Sequence, residues 1–228
     1  MLALTQSAQA KIVYTPAKVV MEGPYNLDLN HDGVTDFSIR LEKGHFSSVS
    51  TVALSCLGAS GVHSVDEVLG SSIGLAEDVK AGFVVGGWAK NRFSDQVQFM
   101  AAGEWLSGKT YRFRGLWANG GKGVRNRYLG LRFRIKGRFH YGWARFNVSF
   151  PHQTLRAVLT GYAYETQAGK AIIAGQTKGT EDSTIEQPAA ALSTPIPDTS
   201  QLAMLGALTL GGPGLSIWRG KEWVAAVQ

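Results

Sequence analysis

The stretch YLGLRFRIKGRFHYGWARFNVSF, residues 128–150, decides the fold class because it has the two-residue period of a β-hairpin. One face of its first half is apolar and is formed by Leu129, Leu131, Phe133 and Ile135. The opposite face is formed by Gly130, Arg132, Arg134 and Lys136. The Lys-Gly-Arg sequence at 136–138 predicts a tight turn, and residues 139–150 are expected to return as the partner strand.

The rest of the chain repeats this pattern in shorter runs rich in Val, Phe, Tyr and Thr. Strands are predicted within residues 11–22, 25–29, 35–42, 48–57, 95–100, 110–117, 154–165 and 170–175. Residues 60–92 show no sustained period and are interpreted as a loop with at most a helical turn. With 28 glycines in 228 residues, the chain is predicted to form an all-β, antiparallel β-sandwich, similar to a jelly roll.

Composition divides the chain into four parts. Residues 1–10 contain Ala-Gln-Ala, a cleavage pattern, and are interpreted as the remnant of a signal peptide. Residues 11–177 form the sandwich domain, and residues 178–200, rich in Pro, Ser, Thr and Ala, read as a linker. Residues 201–228 are an apolar tail that resembles a sorting or anchoring segment. The alternative is a loosely ordered end of the chain. Its first 18 residues, 201–218, carry no charge and would give at most weak membrane attachment.

Asp28-Leu-Asn-His-Asp-Gly-Val-Thr-Asp36 has the spacing of a calcium loop. Calcium takes six to eight oxygen ligands, and glycine at the sixth loop position permits the sharp turn that brings them together. The predicted metal ligands are the side chains of Asp28, Asn30, Asp32 and Asp36 and the backbone carbonyl of Val34. The flanking strands and Ile39 at the twelfth position, where an EF-hand has glutamate, exclude an EF-hand. Glu42 or a carboxylate distant in sequence would have to complete the shell, and a polar β-turn without metal is the alternative.

The net charge of +6 is unevenly distributed. No acid occurs between Glu104 and Glu165, whereas twelve Lys and Arg residues do. Seven of them cluster at Lys122, Arg125, Arg127, Arg132, Arg134, Lys136 and Arg138. Such a face attracts polyanions such as acidic polysaccharides. The alternative is an ordinary solvated sheet face that pairs with acids elsewhere in the fold. No nucleic-acid-binding motif accompanies the charge, so no nucleic-acid partner is expected.

Catalytic motifs are weak. Gly-Ser-Ser-Ile-Gly at 70–74 matches the G-x-S-x-G pattern with Ser72 as nucleophile, but the strand and helix that this motif needs are not predicted around it. The five histidines have no short metal-ligand spacing, and the single cysteine, Cys56, lies in an apolar run.

Three segments together carry a resemblance: YLGLRFRIKGRFHYGWARFNV, then LTGYAYETQAGKAIIAGQTKG, then LAMLGALTLGGPGLSIWRGKE. They resemble a group of secreted bacterial proteins without assigned activity that share a HYGWxR…TGYAYE core, often a D-x-N-x-D-G loop, and tails similar to the PEP-CTERM sorting signal. This chain lacks the Pro-Glu-Pro of that signal. The resemblance implies an exported β-sandwich.

The sequence therefore predicts a non-enzymatic protein, secreted or on a bacterial cell surface or in an extracellular matrix, with one structural calcium. The alternative is a carbohydrate-binding module for anionic or neutral polysaccharide, for which Trp88, Trp105, Trp117, Tyr141 and Trp143 are the candidate rings. That alternative requires at least two of the rings to be exposed on one face. A hydrolase is the third hypothesis, and the acid-free stretch leaves no carboxylate pair for it there.

Overall fold

A computed structural model describes residues 11–44, 51–106 and 110–179, without the side chains of 51–53 and 89–91. The predicted signal remnant, nearly all of the predicted linker and the apolar tail lie outside these residues. In the described ranges, no helix is long and apolar enough to cross a membrane. Strands account for 58% of the described residues and helices for 8%, and two antiparallel sheets pack against each other. The predicted all-β sandwich is confirmed.

The described residues form thirteen strands: β1 (Ile12–Val20), β2 (Pro24–Leu27), β3 (Phe37–Gly44), β4 (Thr51–Gly61), β5 (Glu67–Leu69), β6 (Val84–Val85), β7 (Phe93–Ser94), β8 (Gln98–Leu106), β9 (Thr110–Arg114), β10 (Val124–Ile135), β11 (Arg138–Ser149), β12 (Arg156–Glu165) and β13 (Ile172–Ile173). Short 3-10 helices occupy Gly87–Arg92, Leu116–Gly121 and Pro151–Gln153.

The larger sheet has the order β1-β12-β11-β10-β5-β7, and the second sheet has the order β2-β3-β4-β8-β9. Consecutive strands pair in β10-β11-β12 of the larger sheet and in β2-β3-β4 and β8-β9 of the second sheet, whereas the pairs β1-β12, β10-β5, β5-β7 and β4-β8 join non-consecutive strands. The central hairpin pairs β10 with β11 from Ile135↔Arg138 at the turn to Val124↔Val148 at the far end. This is the hairpin that the alternation in residues 128–150 predicts.

The core between the sheets is formed by alternate residues of each strand. Leu129, Leu131 and Phe133 of β10 are fully buried there and face Phe37 and Ile39 of β3. The rings of Phe37 and Phe133 meet edge to face, with centroids 6.4 Å apart. Each fully buried side chain of this size contributes about 1.5–3 kcal/mol.

A second apolar cluster lies on the other face of the larger sheet. Trp143, Tyr128 and Tyr141 point outward from β10 and β11 and are nevertheless buried. They are covered by the segment that contains β5 to β7 and by β13, which pairs with β6. Residues 60–92, predicted as a loop, thus include short strands and cover the sheet.

This cover changes the interpretation of the basic strand face. Arg132 is buried, forms an ion pair with Glu67 of β5, and lies between the rings of Phe93 and Phe139 at 5.0 and 4.7 Å from their centroids. Arg134 stacks on Phe139 as well. Arg132 therefore does not belong to an exposed polyanion-binding face, because its charge is used inside the fold.

Candidate functional site

The predicted calcium loop joins β2 to β3 at one end of the second sheet. Leu27 and Leu29 are each 1% exposed and belong to the core. Because residues alternate in an extended chain, anchoring these two leucines directs Asp28 and Asn30 to the opposite side. The fold thus sets the direction of the first two polar side chains of the loop.

The carboxylate of Asp28 organises the turn. Its Oδ1 accepts hydrogen bonds from the backbone N–H of His31 (2.7 Å) and of Asp32 (3.2 Å), and its Oδ2 accepts one from Gly33 N–H (2.8 Å). His31 and Gly33 have positive φ angles of 62° and 86°. Glycine adopts this conformation without strain, which is why it fits the sixth position. A carboxylate has about four lone-pair sites, so the three bonds leave about one for a further partner.

Asn30 and Asp32 complete the front of the loop. Asp32 Oδ1 accepts from the N–H of Val34 (2.9 Å), and Asp32 Oδ2 accepts from Asn30 Nδ2 (2.9 Å). Asn30 Oδ1 accepts from Asp32 N–H (3.3 Å). The oxygen side chains at the first, third and fifth positions therefore bond to the loop itself and lie close to one another.

Asp36 is the buried member of the predicted ligand set. It is 5% exposed, and its Oδ2 accepts from the N–H of Leu29 at 2.7 Å. Burial raises the pKa of Asp36 from 3.8 to about 7, and the negative charges of Asp66, Asp32 and Asp28 add to the increase, whereas the Leu29 bond opposes it. This carboxyl is therefore about half protonated near pH 7, and a bound cation would favour its ionised form.

Asp66 and Tyr164 are two neighbours that sequence reasoning missed. Asp66 is 2% exposed, its Oδ2 lies 2.7 Å from Nδ1 of His63, and its charge acts on Asp36. Burial and the charges of Asp28, Asp32 and Asp36 raise the pKa of the Tyr164 hydroxyl. Neither residue has a sequence signal, because tertiary packing alone brings them to the loop.

Glu42 is not placed to complete the shell. It lies six residues beyond Asp36, near the other end of β3, opposite Cys56 of β4. At about 3.3 Å per residue this is roughly 20 Å from the loop. A carboxylate distant in sequence is the other completing group considered, and Asp66 is the one outside the loop whose charge acts on Asp36.

The charges of the loop are not balanced within the described residues. Asp28, Asp32 and Asp36 form no ion pair with a described Lys or Arg, and Asp66 pairs only with His63. The donors are oxygen atoms, which suit calcium. In the ranges that the structure covers, however, no three His, Cys, Asp or Glu side chains already converge as a metal-binding group. The residues fit calcium in type and charge, and an ion would have to draw them together.

The other candidate groups, Ser72, His140 and Cys56, lie in surroundings typical of structural residues. Ser72 lies in a turn in which Ser71 Oγ accepts from Leu75 N–H, and irregular chain rather than a helix follows it. His140 is buried, with Nδ1 2.9 Å from the carbonyl oxygen of Glu165. Cys56 is half-buried, and burial raises the pKa of its thiol, which disfavours the reactive thiolate.

The five candidate rings do not share an exposed face. Trp117 and Trp143 are fully buried and Tyr141 is 6% exposed. Trp88 is 61% exposed and packs on Phe83 above the larger sheet, whereas Trp105 belongs to β8 of the second sheet. The ring beside Trp105 is Tyr111 of β9, with centroids 6.1 Å apart, a residue outside the five.

Comparison of the chain with protein-family models, with curated proteins and with solved structures found no match.

Proposed function

We propose that this protein is an exported, non-enzymatic β-sandwich of the cell surface or extracellular matrix whose fold is stabilised by one calcium ion. The observation that supports the proposal is the 28–36 loop, in which oxygen side chains stand at calcium spacing. The negative charges of the loop and of the buried Asp66 act on the buried Asp36, and none of these acids pairs with a described Lys or Arg. Asp28, Asn30, Asp32 and the Val34 carbonyl would hold the ion, and Asp36 would contribute from the inner side.

The expected role of calcium is structural. The loop joins two strands whose leucine and phenylalanine residues form the core, so fixing the loop fixes the start of β3. An ion that binds only the folded state stabilises it by about 2.7 kcal/mol at a concentration one hundred times its Kd. For a domain of this size, that corresponds to a rise in Tm of about 5–10 °C.

Export is supported by the sequence rather than by the fold. The Ala-Gln-Ala pattern, the linker composition and the uncharged segment 201–218 all favour it. Calcium outside the cytoplasm is plentiful enough for a site that lacks the EF-hand glutamate, because extracellular modules bind in the range of about 10⁻⁴–10⁻³ M.

The test is thermal melting during calcium titration of the wild type, Asp32→Ala and the control Asp95→Ala. Asp95 is also an exposed acid, but it lies outside the loop. We expect calcium to raise the Tm of the wild type and of Asp95→Ala and to leave that of Asp32→Ala nearly unchanged. If calcium does not move the Tm of the wild type, or if magnesium at equal concentration moves it as far, the calcium proposal is wrong.

A further inference from the structure

A cleft of about 380 Å³ opens at the end of the sandwich opposite the calcium loop. We call it the aromatic cleft and define it by Lys43, Ser55, Gly103, Trp105, Tyr111 and Gln153. Register places Gly103 opposite Ser55 and Trp105 opposite Tyr111, on the face of the second sheet that forms the core further along. The cleft is therefore the inner face of the sheet where it extends past the core.

The aromatic side of the cleft is fixed by the core. The Phe150 ring contacts Phe113 at 4.9 Å between centroids, Phe113 contacts Tyr111 at 4.8 Å, and Tyr111 contacts Trp105 at 6.1 Å. Phe113 and Phe150 pack against the buried cluster, while Trp105 and Tyr111 are only partly buried and line the opening. The two outer rings are thus positioned by a continuous row of contacts rather than left loose on the surface.

Gly103 leaves the space that Tyr111 occupies. A Cβ atom at Gly103 would overlap the Tyr111 hydroxyl, so the ring can lie across β8 only because this residue is glycine. Ser55, opposite Gly103 in β4, donates its hydroxyl to the Gly103 carbonyl oxygen at 3.5 Å. Preorganised rings lower the entropy cost of binding a ligand.

Leu54 adds to the apolar side of the cleft, and the rest of its lining includes polar groups. Ser55, Lys43 and Gln153 supply a hydroxyl, an ammonium and an amide around the two rings, and none of the described residues that line the cleft is Asp or Glu. An apolar surface with a few polar groups at its rim matches a pyranose, which has an apolar C–H face and hydroxyls at its edge. The volume of about 380 Å³ falls in the range of small-molecule pockets, about 300–1,000 Å³.

A second hollow lies on the other side of the turn that joins β11 to β12. It measures about 430 Å³, and we call it the basic hollow, defined by Lys122, Arg125, Asn147, Ser149 and Arg156. Lys122, Arg125 and Arg156 are exposed and none forms an ion pair with a described acid. Among the residues that the structure describes, no acid lines the hollow. Residues 153 and 154 line the aromatic cleft while 149 and 156 line the basic hollow, so the two cavities are close along the chain, around the turn that joins β11 to β12.

We propose that the aromatic cleft binds a pyranose unit of an acidic polysaccharide. Trp105 and Tyr111 contact the sugar ring, and Lys43 faces a carboxylate of the bound unit. The same polysaccharide continues across the turn, where the basic hollow binds carboxylates of later units. This site lies at the other end of β3 from the calcium loop and does not depend on the calcium proposal.

The test is calorimetric titration of the full chain with oligosaccharides of glucuronate, galacturonate and mannuronate, each beside its neutral, carboxyl-reduced derivative. The variants are Trp105→Ala, Tyr111→Ala and the combined Lys122→Ala, Arg125→Ala and Arg156→Ala. Trp88→Ala is the matched aromatic control. The pair Lys136→Ala and Arg138→Ala is the charge control, because it lies at the β10–β11 turn, at the far end of the same sheet.

We expect at least one acidic oligosaccharide to bind, and its neutral derivative to bind more weakly. Loss of either ring should weaken binding by about three- to tenfold. The triple basic variant should weaken binding and reduce its salt dependence, whereas both controls should bind like the wild type.

The proposal is overturned if no acidic oligosaccharide binds, if the neutral derivatives bind equally well, or if Trp88→Ala weakens binding as much as Trp105→Ala. Melting curves with and without calcium check that each variant is folded. A variant that melts like the wild type and still binds fully despite the loss of Trp105 also contradicts the proposal.

Discussion

Asp36 offers the sharpest test of the electrostatics of the loop. Its carboxyl is buried beside Asp28, Asp32 and Asp66, and its pKa is raised from 3.8 to about 7. Asp36→Asn removes the charge but keeps an oxygen that can accept the Leu29 N–H bond. The substitution therefore separates the charge of Asp36 from its hydrogen bond.

The direction in which the free energy of unfolding changes with pH depends on whether the folded or the unfolded chain holds the proton of Asp36 more tightly. Below about pH 4 this carboxyl is neutral in both the folded and the unfolded chain. Between about pH 4 and pH 7 the unfolded chain ionises while the folded state keeps its proton, so the free energy of unfolding falls as the pH rises. The difference between 3.8 and about 7 corresponds to a loss of about 4 kcal/mol, complete above the folded pKa.

Urea unfolding in chelator measures this loss, with fluorescence of the buried Trp117 and Trp143 as the signal. We expect Asp36→Asn to gain stability relative to the wild type as the pH rises from 4 to 8, by up to about 4 kcal/mol. The control is Asp95→Asn, whose side chain is exposed, and its difference from the wild type should not change with pH.

Calcium should reverse the order of stability of the wild type and Asp36→Asn, because a cation at the loop favours the ionised Asp36. At pH 8 calcium is expected to stabilise the wild type more than Asp36→Asn. A difference between the wild type and Asp36→Asn that is the same at pH 4 and pH 8 would refute the assignment of a raised pKa to Asp36.

Three further outcomes are expected. Glu67→Gln should lower the free energy of unfolding by about 3–5 kcal/mol, measured in urea, because it leaves the buried Arg132 without its counter-charge. The combined Glu67→Met and Arg132→Met should lower the free energy of unfolding less, because no unpaired charge remains. Trp117→Ala should lower the free energy of unfolding by about 3–5 kcal/mol, because a fully buried ring and its hydrogen bond to the Ala76 carbonyl are lost. Gly103→Val should displace Tyr111, seen as a change in near-UV circular dichroism, and abolish oligosaccharide binding; a variant that still binds would show that the ring position is not required.

Much of the fold was predictable because strand period is a local property. The alternation of Leu129, Leu131 and Phe133 identifies a strand with one buried face, and the turn after it identifies the hairpin. Residues 60–92 were harder, because β5 and β6 are only three and two residues long. Strands this short have no measurable period and form only when the larger sheet offers a surface to cover.

One of the candidate sites could be predicted from the sequence and the other could not. The spacing from Asp28 to Asp36 is visible in the sequence, since the ligands of a tight loop are close along the chain. The four tryptophans and one tyrosine chosen from the sequence share no exposed face, and the ring beside Trp105 is Tyr111. Ring exposure depends on which strand edge extends past the core, and composition does not report it.

The sequence by itself determined the strands, the central hairpin and the polar loop, because each depends on neighbours within a few residues. Only the tertiary structure decided that the charge of Asp66 acts on Asp36 and that Arg132 is buried against Glu67. It also decided that residues around the turn between β11 and β12 line both the aromatic cleft and the basic hollow. These arrangements join residues from strands far apart in the chain. They follow from the way the two sheets and the covering segment pack, and no local pattern encodes that packing.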